Sequence, residues 1–452
     1  MNVAVLGGGV TGLTAALRMT QAGHAVTLLE SSARTGGNVR TEAGYGWLVE
    51  RGPNSIMETT AALSALVDEL SLRPERIESE PAAKNRYIVV NGRLVPLPAP
   101  PPSTELMSTP LLSLGAKMGI MKEATLQPRE RPADVSVATL ARDHFGREVL
   151  DRIVQPFVGG IFAGDAERLS AKHAFPTLWE AERTVGSLIR AAKAQADKRK
   201  AAGLPASPPM ISFKRGLQAL TDALAARLPE GTVVLEAEVR SLASLPGARW
   251  RVSWEGPGGA DSREFDRVVA ALPAGSLARL EIGGAFPLEG LGAIEYPALA
   301  SVFVGFRRAD VSHPLDGFGA LVPVAEGRFI LGAIFSSTLF PGRAPEGHVA
   351  LTAFVGGALR PENALLTREA LIEGVCRDLR ELVGARGSPV FARHMLWPKA
   401  IPQYNLGYGA HLDALARCER DNPGLFFGGN VRDGISLPDC IKSGTSLAAR
   451  VS

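Results

Sequence analysis

A mixed fold, α/β with α+β, is predicted by three observations. A glycine turn sits between an apolar strand and an amphipathic helix near the amino terminus; alternating strand segments recur between residues 233 and 357; and a proline-flanked helical stretch fills residues 99–208. At 452 residues with 46% hydrophobic content, two or three domains are expected. Lys+Arg 49 against Asp+Glu 46 leaves a net charge of +3, which excludes a dedicated nucleic-acid surface and makes any basic site local. Cys376, Cys418 and Cys440 lie far apart, so neither a disulfide framework nor a metal site is expected. Such cysteine usage fits a reducing cytoplasm. No basic leader precedes the first strand and no run of about 18 apolar residues occurs, so neither a targeting peptide nor a spanning helix is expected.

The segment VAVLGGGVTGLTAALRMTQAGHAVTLLE, residues 3–30, reads as strand, turn, helix and strand, with the helix expected over Leu13 to Gln21. Gly7 permits the tight turn, Gly9 lets backbone amides approach a diphosphate, and Gly12 lets helix and strand pack closely. Glu30 ends the second strand, where a carboxylate accepts both ribose hydroxyls and repels a 2′-phosphate, which disfavours NADP. The next stretch, SSARTGGNVRT, adds Arg34 and the pair Gly36 and Gly37. A second close backbone approach and a cation beside the diphosphate suit the longer FAD. VERGPNS supplies a further turn at Gly52 and Pro53. At the other end, GLFFGGNVRDGISLPDCIKSG passes through Gly429, Asn430 and Gly434 into a helix expected to start near Pro438, whose amides can face the pyrimidine edge of a flavin.

PAAKNRYIVVNGRLVPLP, residues 81–98, reads as a hairpin turning at Asn91-Gly92, and alternation puts Arg86 on the face of Ile88 and Val90. Two readings stand: a guanidinium that reaches water or a structural carboxylate, and one that meets an anionic ligand. SVFVGF (301–306), RFILGAIF (328–335) and HVALTAFVGG (348–357) read as strands of a larger sheet. Within 99–208, Leu111, Leu112, Leu114, Met118 and Met121 are candidates to touch lipid, and LIRAAKAQADKRKAAG is a basic helix.

Together these stretches, with QPFVGGIFAGD (155–165), LSAKHAFP (169–176), GLQAL (216–220), DGFGALVP (316–323) and IPQYNLG (401–407), resemble the monoamine oxidase-like flavoprotein superfamily. Within it, the resemblance is to the oxygen-dependent protoporphyrinogen and coproporphyrinogen oxidases. It implies a discontinuous Rossmann-like FAD domain (1–80, 209–273 and 423–452), an antiparallel-sheet substrate domain (81–98 and 274–422) and a mainly helical membrane-associating domain (99–208). The implied FAD contacts are Gly7, Gly9, Gly12, Glu30, Arg34, Gly36, Gly37, Gly52, Pro53, Asn54, Ser55, Val239, Gly429, Asn430, Gly434, Pro438 and Asp439.

Arg86 matches a position that binds a propionate in related enzymes, and Phe318, Gly319, Leu321 and Phe354 match positions lining a macrocycle pocket. The activity implied is FAD-dependent six-electron oxidation of protoporphyrinogen IX to protoporphyrin IX in haem biosynthesis, with dioxygen reduced to hydrogen peroxide. Coproporphyrinogen III is the alternative substrate. An amine oxidase or carotenoid desaturase is a rival redox reading, and a non-redox flavoprotein such as a sugar mutase is a rival of another class. No catalytic acid–base residue and no metal is expected. Peripheral contact with the inner face of the cytoplasmic membrane and a homodimer are further expectations.

Overall fold

The computed structural model describes residues 1–98 and 103–451, so the proline run at 99–102 lies outside the described residues. Five strands form a parallel sheet in the spatial order Val233–Val234, Ala25–Leu29, Asn2–Leu6, Arg267–Ala270 and Leu425–Phe427. In chain order this is 3-2-1-4-5, so the winding reverses between Asn2–Leu6 and Arg267–Ala270 and opens a crevice beyond the carboxyl ends of those strands. Val3, Ala4, Val5 and Leu6 are all fully buried. A continuous apolar run is required here because both faces are covered. Val3 and Val5 pack with the helices Val10–Gln21 and Leu437–Val451, while Ala4 and Leu6 join the cluster on the other face. The first helix begins at Val10, earlier than Leu13, because Gly9 serves as its amino-terminal cap.

A second sheet has seven strands, ordered Phe391–Trp397, Leu299–Arg307, His348–Gly356, Gly332–Ile334, Gly317–Leu321, Asn85–Val90 and Arg93–Pro96. It is antiparallel except where Gly317–Leu321 runs parallel to Asn85–Val90. One face buries Tyr87, Val302, Val304, Ala320, Ala333 and Leu351 against the helix Arg368–Val383. The strand expected over 328–335 is confined to Gly332–Ile334, because the Asp378 carboxylate takes the amides of Phe329 (2.7 Å) and Ile330 (3.0 Å) out of the ladder.

Between 103 and 201 the chain is helical. Ser103, Ser113, Ser136, Ser170 and Ser187 each cap a helix by accepting the amide three residues on. The helices Leu114–Glu123, Val137–Phe145 and Pro176–Thr184 meet on a buried polar network. His144 Nδ1 lies 2.9 Å from Glu123 Oε1 and Nε2 lies 3.2 Å from Glu182 Oε1, and Arg131 forks onto Glu182 at 2.6 and 2.7 Å. Glu123 also accepts the Ser187 hydroxyl and the amides of Leu188 and Ile189 at the start of the basic helix Leu188–Ala201.

Two lipid-contact expectations are corrected here. Leu111 is 0% and Leu112 4% exposed; both pack with Leu106, Ile120, Val149 and the sheet residue Ile88. They close the helical layer over the sheet and cannot reach a bilayer. Leu114, Met118 and Met121 are exposed, at 67%, 56% and 41%.

Removing Arg131 leaves the Glu182 carboxylate buried without its fork. Arg131→Ala is expected to cost about 3–5 kcal/mol in urea unfolding, the penalty of an uncompensated buried charge. Burial by itself raises the Glu123 pKa, but the bonds from His144, Ser187 and two amides pull it below the ordinary carboxylate value. The stability that Glu123 contributes is therefore present above that ordinary value and lost as the pH falls through the depressed one, which stability measured against pH will show.

Candidate active site

The glycine turn is built by exclusion. Gly7 has φ +100°, and a Cβ there would lie 2.6 Å from the Ala271 carbonyl oxygen. A Cβ on Gly12 would lie 1.9 Å from the Gly7 carbonyl oxygen, so neither position accepts a side chain. Gly9 is different. A Cβ there would meet nothing within 4 Å, and no side chain caps the helix that follows. Open space in front of uncapped helix amides is the cradle a diphosphate needs. Glu30 stands beside it, accepting the Gly8 amide at 2.6 Å and the Ser32 amide at 2.8 Å. The amides of Glu236 and Ala237 bond the carbonyls of Ser32 and Glu30, which brings the segment leading to Val239 alongside this carboxylate.

The second glycine pair closes over the first turn. Gly36 donates its amide to Gly8, and a Cβ on Gly37 would lie 3.3 Å from Gly9 Cα. Arg34 braces its own loop: its guanidinium donates to the carbonyls of Thr35 (2.9 Å), Gly37 (2.8 Å) and Val39 (3.3 Å). Burial and the neighbouring Arg40 lower its pKa. The Gly36–Gly37 loop is held in shape by that brace. Gly52 touches the same loop, since a Cβ there would lie 2.0 Å from the Asn38 carbonyl oxygen. Pro53, Asn54 and Ser55 follow half-buried, with Asn54 Nδ2 on the Gly52 carbonyl at 3.1 Å. Trp397 Nε1 donates to Arg51 at 2.8 Å and so ties this loop to the seven-stranded sheet.

The carboxyl-terminal segment arrives at the same place. Gly429, with φ +93°, faces Thr11 on the first helix, and its amide is held by Ser443 Oγ at 2.8 Å. The Asn430 carbonyl accepts the buried Tyr404 hydroxyl. Gly434 has φ +119°, and a Cβ there would lie 2.6 Å from Asp439 Oδ2. The last helix starts at Leu437, with Pro438 in its first turn. Ser436 and Asp439 exchange hydrogen bonds as a reciprocal cap, so the Asp439 carboxylate is engaged within the helix start.

The opposite face of the seven-stranded sheet gathers the other candidates. Strand register aligns Met395, Ser301, Phe354, Gly332, Leu321 and Ile88 in one row. The row two residues along holds Arg393, Phe303, Thr352, Ile334, Gly319 and Arg86. Residues two apart on a strand share a face, so Phe354, Leu321, Gly319 and Arg86 stand on one surface. Ile334, Met395 and Thr352 share it and were not picked out from sequence. Alternation within each strand was legible, but which strands become neighbours is set by register alone. The helix Gln155–Phe162 lies against this face: a Cβ on Gly160 would come within 2.8 Å of Leu321 Cδ2. Arg86 is exposed, its guanidinium lies 5.8 Å from the centre of the Phe318 ring, and no carboxylate pairs with it among the described residues.

This geometry offers a nucleotide crevice opening toward an apolar sheet face with a cation at its edge. Known proteins are similar to this chain along its whole length. The family description "Flavin containing amine oxidoreductase" matches residues 10–452. The mitochondrial protoporphyrinogen oxidase of Nicotiana tabacum is 35% identical over 99% of this chain and 94% of its own length. Coproporphyrinogen III oxidase of Bacillus subtilis (strain 168) is 28% identical over 99% of this chain and 97% of its own. A crystal structure from Exiguobacterium sp. 255-15 superposes with a TM-score of 0.82 at 22% identity, covering 100% of this chain and 98% of that one. FAD is the cofactor that the crevice and the family share, and the chain belongs to the flavin-containing amine oxidoreductase family.

Proposed function

We propose that the chain oxidises protoporphyrinogen IX to protoporphyrin IX, a six-electron step of haem biosynthesis, with dioxygen as final acceptor and hydrogen peroxide as product. One observation carries the reading: the apolar face of Leu321, Ile334, Phe354 and Met395 has at its edge the guanidinium of Arg86, near the Phe318 ring and unpaired with any described carboxylate. A porphyrinogen has the matching distribution, an apolar macrocycle with carboxylates on its rim. The names of the tobacco and Bacillus relatives, each an oxidase of a porphyrinogen, support it. Protoporphyrinogen IX carries its two propionates on neighbouring pyrroles, whereas coproporphyrinogen III carries four around the ring. A single cationic edge favours the former.

The division of labour follows. Residues 1–80, 209–273 and 423–452 hold FAD, 81–98 and 274–422 hold the macrocycle, and 99–208 rest on a membrane surface. Bound FAD supplies the acceptor for a hydride. Gly7, Gly9 and Gly12 bring backbone to the diphosphate, Glu30 takes the ribose hydroxyls, and the backbone at 36–37, 52–55, 239 and 429–434 completes the cradle. Arg86 binds a propionate and fixes the orientation of the ring, while the apolar face keeps water from it. Lipid contact falls to Leu114, Met118 and Met121, beside the basic helix Leu188–Ala201. No described helix is long and apolar enough to cross a membrane.

Purified protein given each porphyrinogen, prepared without oxygen and then aerated, is expected to yield the fluorescent porphyrin with a higher kcat/KM for protoporphyrinogen IX. Preference for coproporphyrinogen III would reverse the substrate assignment. Arg86→Ala should raise KM about 10- to 100-fold and lower kcat less, the loss of one charge-assisted contact shared by ground and transition states. Glu30→Ala should purify with less than stoichiometric flavin and regain it only at high added FAD, read from the visible spectrum. In flotation, wild type should rise with anionic vesicles and a Leu114→Lys/Met118→Lys variant should stay in the dense fraction.

A further inference from the structure

Each round of the proposed oxidation removes a hydride from a meso carbon and leaves an N–H proton to be lost. The sheet face offers that proton no carboxylate among its described residues. Against it, on the same side of the sheet, lies a cavity of about 10 Å³, roughly the space of one water molecule. Its walls include Phe303, Ile334 and Thr352 of the sheet face, Asn54 of the turn at 52–55, and Ser336, Glu50 and Arg343. Thr352 and Ser336 share a buried hydroxyl–hydroxyl hydrogen bond of 2.7 Å. Glu50 and Arg343 are 4% and 2% exposed. Glu50 accepts the Thr41 hydroxyl at 2.7 Å and the Leu217 amide at 2.8 Å, and its Oε1 lies 3.7 Å from Arg343 Nη2. Arg343 Nη2 also donates to Ser212 Oγ at 2.7 Å, yet the buried Nη1 of the same guanidinium has no hydrogen-bond partner. A buried donor of this kind calls for an acceptor, and a water in the cavity would serve.

We propose that Glu50 is the proton acceptor of the redox site, reached from the substrate face through the Thr352–Ser336 hydroxyl pair and a water held by Arg343. The inference rests on the function proposed above. As the N–H bond breaks, its electron pair stays on nitrogen to form the C=N bond, and the proton passes hydroxyl to hydroxyl to water to carboxylate. Reduction of dioxygen to hydrogen peroxide consumes one hydride equivalent and one proton. Return of the proton along the same path leaves Glu50 ionised for the next round. Glu50 does not touch the substrate and is a positioning residue for the proton.

Burial pushes the Glu50 carboxyl above the ordinary carboxylate value, against the pull of Thr41, Arg343 and the Leu217 amide. Arg343 is the charged group that faces it. Since only the ionised form accepts a proton, kcat should fall on the acid side at a pH above the usual carboxylate range.

The test compares wild type with Glu50→Gln as holoenzymes. Porphyrinogen oxidation by wild type must be seen first; its failure sinks the function reading and not this one alone. Glu50→Gln is then expected to keep its flavin and KM, lose about 100-fold in kcat, lose the acid limb of the pH profile, and lack a protonated-carboxyl infrared band that wild type shows on acidification. An unchanged kcat, or a lowered kcat with the acid limb intact, overturns the proposal. If Glu50→Gln does not fold, Thr352→Val decides: a fall of 10-fold or more in kcat with KM kept supports the path, and an unchanged kcat overturns it.

Discussion

Backbone meets backbone where no methyl group fits, and the rest of the molecule is arranged around those contacts. Gly12 against the Gly7 carbonyl, Gly7 against Ala271, and Gly444 against the Thr11 carbonyl would each bring a Cβ within 2.6 Å of an oxygen. The first two lock the turn onto the central strands. The third seats the last helix on the first one. As a result segments more than 400 residues apart in sequence deliver loops to the crevice where strand order reverses, and Gly9 is left facing open space. Any side chain at Gly12 would lever the helix from the sheet and close the cradle.

That architecture was legible in sequence to the extent that it is local. The strand, turn and helix over 2–21 and the acidic residue that follows are neighbours in the chain, and their spacing carries the chemistry. Arg86 was readable too, because alternation alone puts it with Ile88, and the structure keeps both on one side of the sheet. What failed needed information from elsewhere. That Arg34 braces three carbonyls of its own loop could not be read from its place in the sequence. Leu111 and Leu112 look like their exposed neighbours until Ile88 and Ile120 cover them. Ile334 and Met395 join Phe354 and Leu321 only through ladders linking distant strands, which no local pattern records.

The two cations on the sheet face show how the fold assigns roles to like residues. Arg393 ends its row bonded to Glu42 at 2.8 Å and stacked 4.5 Å from the Phe391 ring centre. Glu42 also holds Arg51, whose carbonyl receives Trp397. That end of the face is a structural joint between the sheet and the turn at 52–55. Arg86, at the other end of the same row, has an aromatic ring beneath it and no carboxylate, so its charge is available to an anion. The polarity of the face follows from this asymmetry. A ligand with carboxylates on one rim can lie across it in one sense and not the other.

An apolar chamber creates a problem that its own walls cannot solve. Oxidation of the proposed substrate releases protons, yet a carboxylate placed on the face would repel the anionic groups proposed to meet Arg86 and would carry its own desolvation cost beside the ring. Hydroxyls impose neither penalty. Thr352, buried at the edge of the face, supplies one that is already bonded to Ser336 on the same side of the sheet. Glu50 lies deeper, where Thr41, Leu217 and Arg343 fix its orientation. Arg343 offsets the charge without neutralising the group by direct contact, since 3.7 Å separates the two. Distance from the rows of Leu321 and Phe354 thus leaves that surface apolar, and the buried polar groups beside it make a base compatible with it.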